Sequence, residues 1–529
     1  MGHLPAEIMA KIISYFVAES SRQGHGDNSS DDIKPLALAP YATVSREWQQ
    51  HVEFMTFAHI NLNPARLASP LAAQALTPDR IRRFVRSIGI NVLLPPYDEQ
   101  ARERLEDEAA RAKNDGVFTE VVRRVFELLA GGQGGQQQQQ QKQRAGVDTD
   151  YRPRIQLSLT VCCVSDAEDI EARKLERDLG RGSDMLEGRY ESSYLDLKPA
   201  AGKSVEEEAE ALPELYCIKG FRVHSTLHFG RLDFTRRYFA PRAFCLMASR
   251  MQGLESIHWI LYDNERRDIA LRKKLRADFA DALHALPSSL RDFNLSYSKS
   301  IPLDHSFQTP SILDETDGND HDKLSLALHK LSQRLVTFSL SANVGPEVLW
   351  PLERHGTQDD DPLWPRMRDY FVDPGAIAPS GQWRFQRPDD ESDYESESDS
   401  SDLDPLVLPG DETEDPFRTQ LSRDAVDPLL LAAARAVRRM PALRRMHFTV
   451  GPPPGAMRLQ VKYMVEGGDS RGGGGGGGGD GGAAELIVHC SPVFHPDEEV
   501  LQIWREAAEE HAGVNSGLVV VVKDPRDRR

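Results

Sequence analysis

The chain has 529 residues, 40% of them hydrophobic and 28% charged, with a formal net charge of −18 at pH 7. Such a composition fits a globular protein of two or three domains, or one long repeat array, interrupted by low-complexity inserts. The acidic balance argues against nucleic-acid binding; no run of about 18 apolar residues offers a membrane span, and no basic-then-apolar N-terminus reads as a secretory signal. Five scattered cysteines, at 162, 163, 217, 245 and 490, fit free thiols in an intracellular, cytoplasmic or nuclear compartment.

The first elements are helical. Pro5 suits the first turn of a helix, Glu7 complements its dipole, and Ile8, Ile12 and Phe16 recur at helical spacing. Residues 18–34 are polar and rich in Gly, Ser and Asp, and read as a long loop. A short helix is predicted over about 36–41. A third begins near Thr43 and carries Val44, Trp48 and Val52 on one buried face.

The pattern Leu4-Pro5-x-Glu7-Ile8, Ile12-Ile13, Phe16 and then Val44-Ser45-Arg46-Glu47-Trp48 resembles an F-box, over roughly residues 3–56. The resemblance implies that Leu4, Pro5, Ile8, Ile12, Val44 and Trp48 bind the Skp-type adaptor of a cullin–RING ubiquitin ligase. The long 18–34 loop departs from the usual pattern. Further along, Leu349-Trp350-Pro351, Trp364-Pro365, Pro379-Ser380-Gly381-x-Trp383-x-Phe385, Pro428-Leu429-Leu430 and Met440-Pro441-x-Leu443 resemble a group of fungal F-box-like proteins with a C-terminal domain of unknown function.

Beyond Phe57 the chain alternates strand and helix. Apolar residues at positions 0, +3 and +5 recur at strand-like places: Phe57/Ile60/Leu62, Val85/Ile88/Ile90, Ile218/Phe221/Val223, Leu254/Ile257/Trp259, Leu290/Phe293/Leu295, Leu335/Phe338/Leu340 and Leu443/Met446/Phe448. This is the opening of a leucine-rich-repeat strand, whose last two apolar residues point to the core. Helical stretches precede three of them, at 275–286, 324–331 and 429–440, two ending in Pro. Ile155–Val161 alternates strictly and is a further strand. The expected fold class is α/β: a short three-helix F-box-like module, then an irregular leucine-rich-repeat-like array with parallel strands. A compact α/β sandwich is the alternative.

The domain boundaries follow: an F-box-like module at 1–56, an α/β domain at 57–465 and a Gly-rich linker at 466–483. A C-terminal αβ unit or cap, 484–529, holds strands near 485–489 and 518–522 around a helix at 496–511. Disordered inserts are expected at about 131–150, 168–210 and 387–415. The first contains six consecutive Gln at 136–141, and the last holds nine acidic residues among 389–404. Ser392, Ser396, Ser398, Ser400 and Ser401, set among those carboxylates, suit an acidophilic kinase.

The sequence carries no Walker A, GxGxxG, HExxH or GxSxG arrangement. Cys162 and Cys163 are adjacent on a strand, so they face opposite ways and make poor joint metal ligands. His489, Cys490 and His495 lack a fourth ligand. No cofactor, metal or catalytic residue is assigned. Arg435, Arg438, Arg439, Arg444 and Arg445 read as a solvated face. Trp350, Trp364 and Trp383, in the 342–388 region taken as loop, are candidate partner contacts or structural closure. The expected function is a substrate-receptor subunit of a Skp–cullin–RING ligase, with a protein client on the α/β domain. A non-ligase scaffold and an enzyme with an unrecognised site are the alternatives.

Overall fold

The computed structural model describes residues 39–70, 74, 76–102, 104–132, 154–166, 187–190, 192–224, 228–229, 232–233, 237–298, 301–313, 321–351, 362–388, 408–451, 453, 458–465, 484–490, 494–512 and 518–523. Twelve strands form one sheet: β1 His59–Leu62, β2 Ser87–Leu94, β3 Ile155–Cys163, β4 Ile218–His224, β5 Ser256–Tyr262, β6 Asp292–Ser298, β7 Thr337–Ala342, β8 Asp369–Asp373, β9 Arg445–Val450, β10 Leu459–Val465, β11 Ala484–His489 and β12 Leu518–Lys523. They lie side by side in chain order. β1 through β9 are parallel, β10 runs antiparallel to both neighbours, and β12 is parallel to β11.

The apolar triples fall on this sheet and register with one another. Ile60, Ile88, Leu157, Phe221, Ile257, Phe293, Phe338, Tyr370 and Met446 stand opposite one another, strand to strand. Leu62, Ile90, Leu159, Val223, Trp259, Leu295, Leu340, Val372 and Phe448 form a second ladder two residues along. Nearly all of these are buried, because alternate strand residues share a face and that face carries the helices. Trp259, Phe293, Phe338 and Tyr370 continue as ring contacts of 5.3–6.0 Å across β5 to β8.

The helices are α1 Arg46–Phe57, α2 Glu108–Gly132, α3 Pro241–Ser249, α4 Ile269–Ala282, α5 Lys323–Ser332, α6 Arg423–Arg438 and α7 Glu498–Ala512, with shorter turns between. Starts are set by short polar caps: Asp268 accepts from Leu271 N before α4, and Asp322 from Ser325 N before α5. Val122, Phe126, Phe244, Phe279, Leu328, Leu430 and Trp504 carry this layer into the same core as the ladders.

Several expectations change. Ser45 is extended (φ −161°) and accepts from Trp48 N, so α1 begins after it and Val44 lies outside the helix, 63% exposed. Of the short helix predicted over about 36–41, residues 36–38 lie outside the described residues and the rest belongs to a 3-10 helix at Ala39–Thr43. The 342–388 stretch contains β8; Met367, just before it, and Tyr370 and Val372 within it repeat the same 0, +3, +5 spacing and are buried.

Part of the expected 168–210 insert is ordered. Its helix Val205–Glu210 has a full capping box between Ser204 and Glu207. Arg189, Ser193 and Glu208 are buried there because each has a polar partner: Arg104 O, Glu106 and Arg123 respectively. Part of the 387–415 insert is ordered too, with Leu408 buried and Asp411 paired to Arg266 at 2.8 Å. The linker interrupts no sheet: β11 pairs with β10 along six positions, so the C-terminal unit extends the same sheet as the α/β domain. The Gln run, the acidic run at 389–404 and the glycine run lie outside the described residues.

The loops at the strand ends are fixed by buried ions. Asp263, after β5, accepts from Arg272 Nε and Nη2 at 2.8 and 2.7 Å and from Arg276 Nη1 at 2.8 Å. Arg276 Nη2 also donates to Asp322 and to Asn343 O, both at 2.9 Å. All four charged groups are buried, and together they tie α4 and α5 to the ends of β5 and β7. Removing one partner would leave uncompensated charge in the core. Asp263→Ala is therefore expected to cost about 3–5 kcal/mol, read as a lowered midpoint in urea denaturation.

Asp115 on α2 accepts from Asp196 N at 3.0 Å. Burial is the main reason its carboxyl is raised to about 6; the nearby Asp196 charge adds to this, while the hydrogen bond and Arg237 oppose it. A raised acid favours its protonated form in the fold, so Asp115 costs stability above pH 6 and the cost fades as pH falls towards 4. Asp115→Asn should thus stabilise by on the order of 1 kcal/mol at pH 7.5, partial exposure reducing the effect. That gain should shrink below pH 6 in melts across pH.

Candidate functional site

The strand residues between the ladder positions point away from the helices. They form rows of their own: Asn61, Gly89, Ser158, Arg222, His258, Asn294, Ser339, Phe371, His447 and Lys462 stand in register. A second row runs Asn91, Thr160, His224, Ile260, Ser296, Ser341 and Asp373. Most are half-exposed, as neighbours on a pleated surface shield one another. No described helix covers them.

The chemistry of this open face is small and polar. Hydroxyls and amides fill its middle on β6 and β7, with Asn294, Ser296, Ser339 and Ser341. Arg222 is exposed, and among the described residues no carboxylate pairs with it. His224 and His258 flank it, their rings 5.7 Å apart. Burial, and then the Arg222 charge, hold His258 below the ordinary histidine value. Towards β9 the face carries Phe371 against His447, 5.1 Å between rings, and His447 is lowered by burial and by Lys462 and Arg458. Arg445 is tied to Asp369 at 2.7 Å. Hydrogen bonding and weak charge complementarity are what such a surface offers; a peptide laid across the strands would meet a side-chain donor or acceptor at most positions, Gly89, Ile260 and Phe371 being the exceptions.

Cys162 faces this side, its thiol 3.3 Å from Asn91 Oδ1, while Cys163 faces the core and reaches Pro95 O. Burial raises both thiols. Among the described residues no three His, Cys, Asp or Glu side chains converge to hold a metal, and no described helix is long and apolar enough to cross a membrane. Two shallow grooves, of about 370 and 330 Å³, lie on the helix layer, one between α4 and α5 and one beside Arg242. Arg438 is engaged by Glu506 and Glu510 at 2.7 Å.

The expected site residues that are described do not converge on one site. Leu4, Pro5, Ile8 and Ile12 lie outside the described residues. Val44 is exposed just ahead of α1, and Trp48 is half-buried with its ring 6.2 Å from Tyr41. Trp364 is fully buried: its indole N–H donates to Ser332 Oγ at 2.7 Å and its ring meets His329 edge-on. Trp383 is buried against His305, with Arg418 over its ring. These two close the structure, so neither is available as a partner contact. Trp350 is half-buried against the core.

Arg222, His224, His258 and Phe371 were not singled out by sequence. The signal was present: if 0, +3 and +5 point inward, +4 and +6 point outward. Comparison of the chain with protein-family models, with curated proteins and with solved structures gives no match.

Because Trp364 joins α5 to the segment entering β8, Trp364→Ala should cost about 3–5 kcal/mol, read by denaturant unfolding. A tryptophan serving a partner would show instead an unchanged midpoint.

Proposed function

We propose that this chain is a client-binding subunit of a Skp–cullin–RING ubiquitin ligase. On this reading its strand–helix units are a leucine-rich-repeat-like array, and a protein client lies on the open sheet face. The observation that carries the client half is that face: one side of the sheet is committed to the core, and the other presents ordered rows of small polar side chains around Arg222. Arrays of stacked strand–helix units use such extended surfaces for recognition.

The adaptor half rests on the resemblance of Leu4, Pro5, Ile8, Ile12, Val44 and Trp48 to an F-box. The exposed Val44 and half-buried Trp48 leave apolar surface for a partner at the start of α1. The ubiquitin chemistry would belong to other subunits.

The test is a pull-down of the full chain with recombinant Skp-type adaptor, beside Trp48→Ala and the double change Leu4→Ala/Pro5→Ala. Wild type should bind, and variants that melt like wild type should lose at least tenfold in affinity. Arg222→Glu, far along the sheet, should leave adaptor binding unchanged. A well-folded wild type that ignores the adaptor would remove the ligase role and leave a client-binding scaffold.

A further inference from the structure

The sheet ends in two edges, and they are built differently. β1 is four residues long and polar at His59 and Asn61, and Asn61 O accepts from Arg66 Nη1 at 2.7 Å. A short edge with an occupied carbonyl is a blunted one. β12 reads Leu518-Val519-Val520-Val521-Val522-Lys523, five aliphatic residues before the first charge. Among the described residues it pairs on one side only, with β11 over six positions.

Its burial is incomplete on both faces. On β11 the core-facing Ala484, Leu486 and Val488 are fully buried. Their partners Leu518, Val520 and Val522 are only half-buried, although Leu518 and Val522 pack on the same core. On the open face Val519 is 51% exposed. α7 covers this end, with Leu501 half-buried on the helix flank turned away from α6. Among the described residues the core thus runs out to an unblunted strand and stops without a cap.

We propose that β12 pairs antiparallel with β12 of a second copy of this chain, about a two-fold axis through Val520 normal to the sheet. The side-chain period of two decides the register. Residues facing the same way must stand opposite one another, so only pairings of matching parity are open. With Val520 on the axis, Leu518 meets Val522 of the second copy and Val519 meets Val521. Every pair is aliphatic, and Lys523 falls outside. An axis through Val521 would set Lys523 against Val519. The two-fold also keeps both cores on one side of a joined sheet, bringing the two α7 flanks with Leu501 together over the seam. An isologous pairing of this kind closes the edge in one step.

The full chain is tested by light scattering after size exclusion over a range of concentrations, with Val519→Lys and Val520→Cys. Wild type should be a dimer at the upper end. Val519→Lys places a charge on an already exposed position, so it should melt like wild type and run as a monomer. Val520→Cys should cross-link to itself under mild oxidation, since directly opposed residues lie about 4.5–5.5 Å apart between Cα atoms, within disulfide range. Val519→Cys should not, because it faces Val521. Wild type under the same oxidant controls for its own five thiols. A monomeric wild type at every concentration would overturn the proposal. So would a dimer that Val519→Lys leaves intact, or one in which Val520→Cys does not cross-link. If Val519→Lys does not fold, the cross-linking pair decides alone.

Discussion

Two ladders of apolar side chains hold the rest of this structure in place. From Ile60 to Met446 and from Leu62 to Phe448 they cross nine parallel strands in unbroken register. A slip of one residue at any strand would turn its inward pair to solvent and its serines or histidine to the core. The cost would recur along the strand, so register is strongly specified. The same constraint fixes the open face, because whatever lies between ladder positions must point outward. Arg222 sits between Phe221 and Val223, and His258 between Ile257 and Trp259; their exposure follows from their neighbours' burial.

Buried charges do a different task. Asp263, Arg272, Arg276 and Asp322 add little net stability as pairs, since desolvation offsets much of their attraction. Their effect is geometric: Arg276 reaches Asp263, Asp322 and Asn343 O, which follow β5, precede α5 and follow β7. Glu106 and Arg237, 2.7 Å apart, link the residues before α2 to those before α3. Arg384 donates to the carbonyls of Pro374, Gly375 and Val344; burial lowers it to about 10. The strand ends are thereby held by specific polar contacts, while the middle of the sheet is held by nonspecific burial.

What sequence reading could see follows from that division. Seven apolar triples fall on seven strands because a half-buried strand advertises itself by period two. β8 completes the triple Met367, Tyr370 and Val372 and was still read as loop, because Trp350, Trp364 and Trp383 around it suggested irregular closure. The ordered residues of 187–210 were missed for the opposite reason. Their polar composition predicts exposure, and only the fold shows that Ser193 and Glu208 find partners inside it. Val44 was misplaced by one capping choice: its spacing to Trp48 is helical, but Ser45 caps the N-terminus of α1 between them, so the helix starts only after Val44. The open face was implicit in the triples, though which of its side chains stay without a charged partner depends on strand order.

The central claim is that the open face, and not the helix layer, receives a protein partner. The most direct measurement is site-specific photo-cross-linking in the full chain within its own cells, with the probe at Ser296 or Ser339 on the face and at Lys330 on α5. Adducts with a partner protein from Ser296 and Ser339 but not from Lys330 are the expected result. Adducts from Lys330 alone would place recognition on the helix layer and contradict the account.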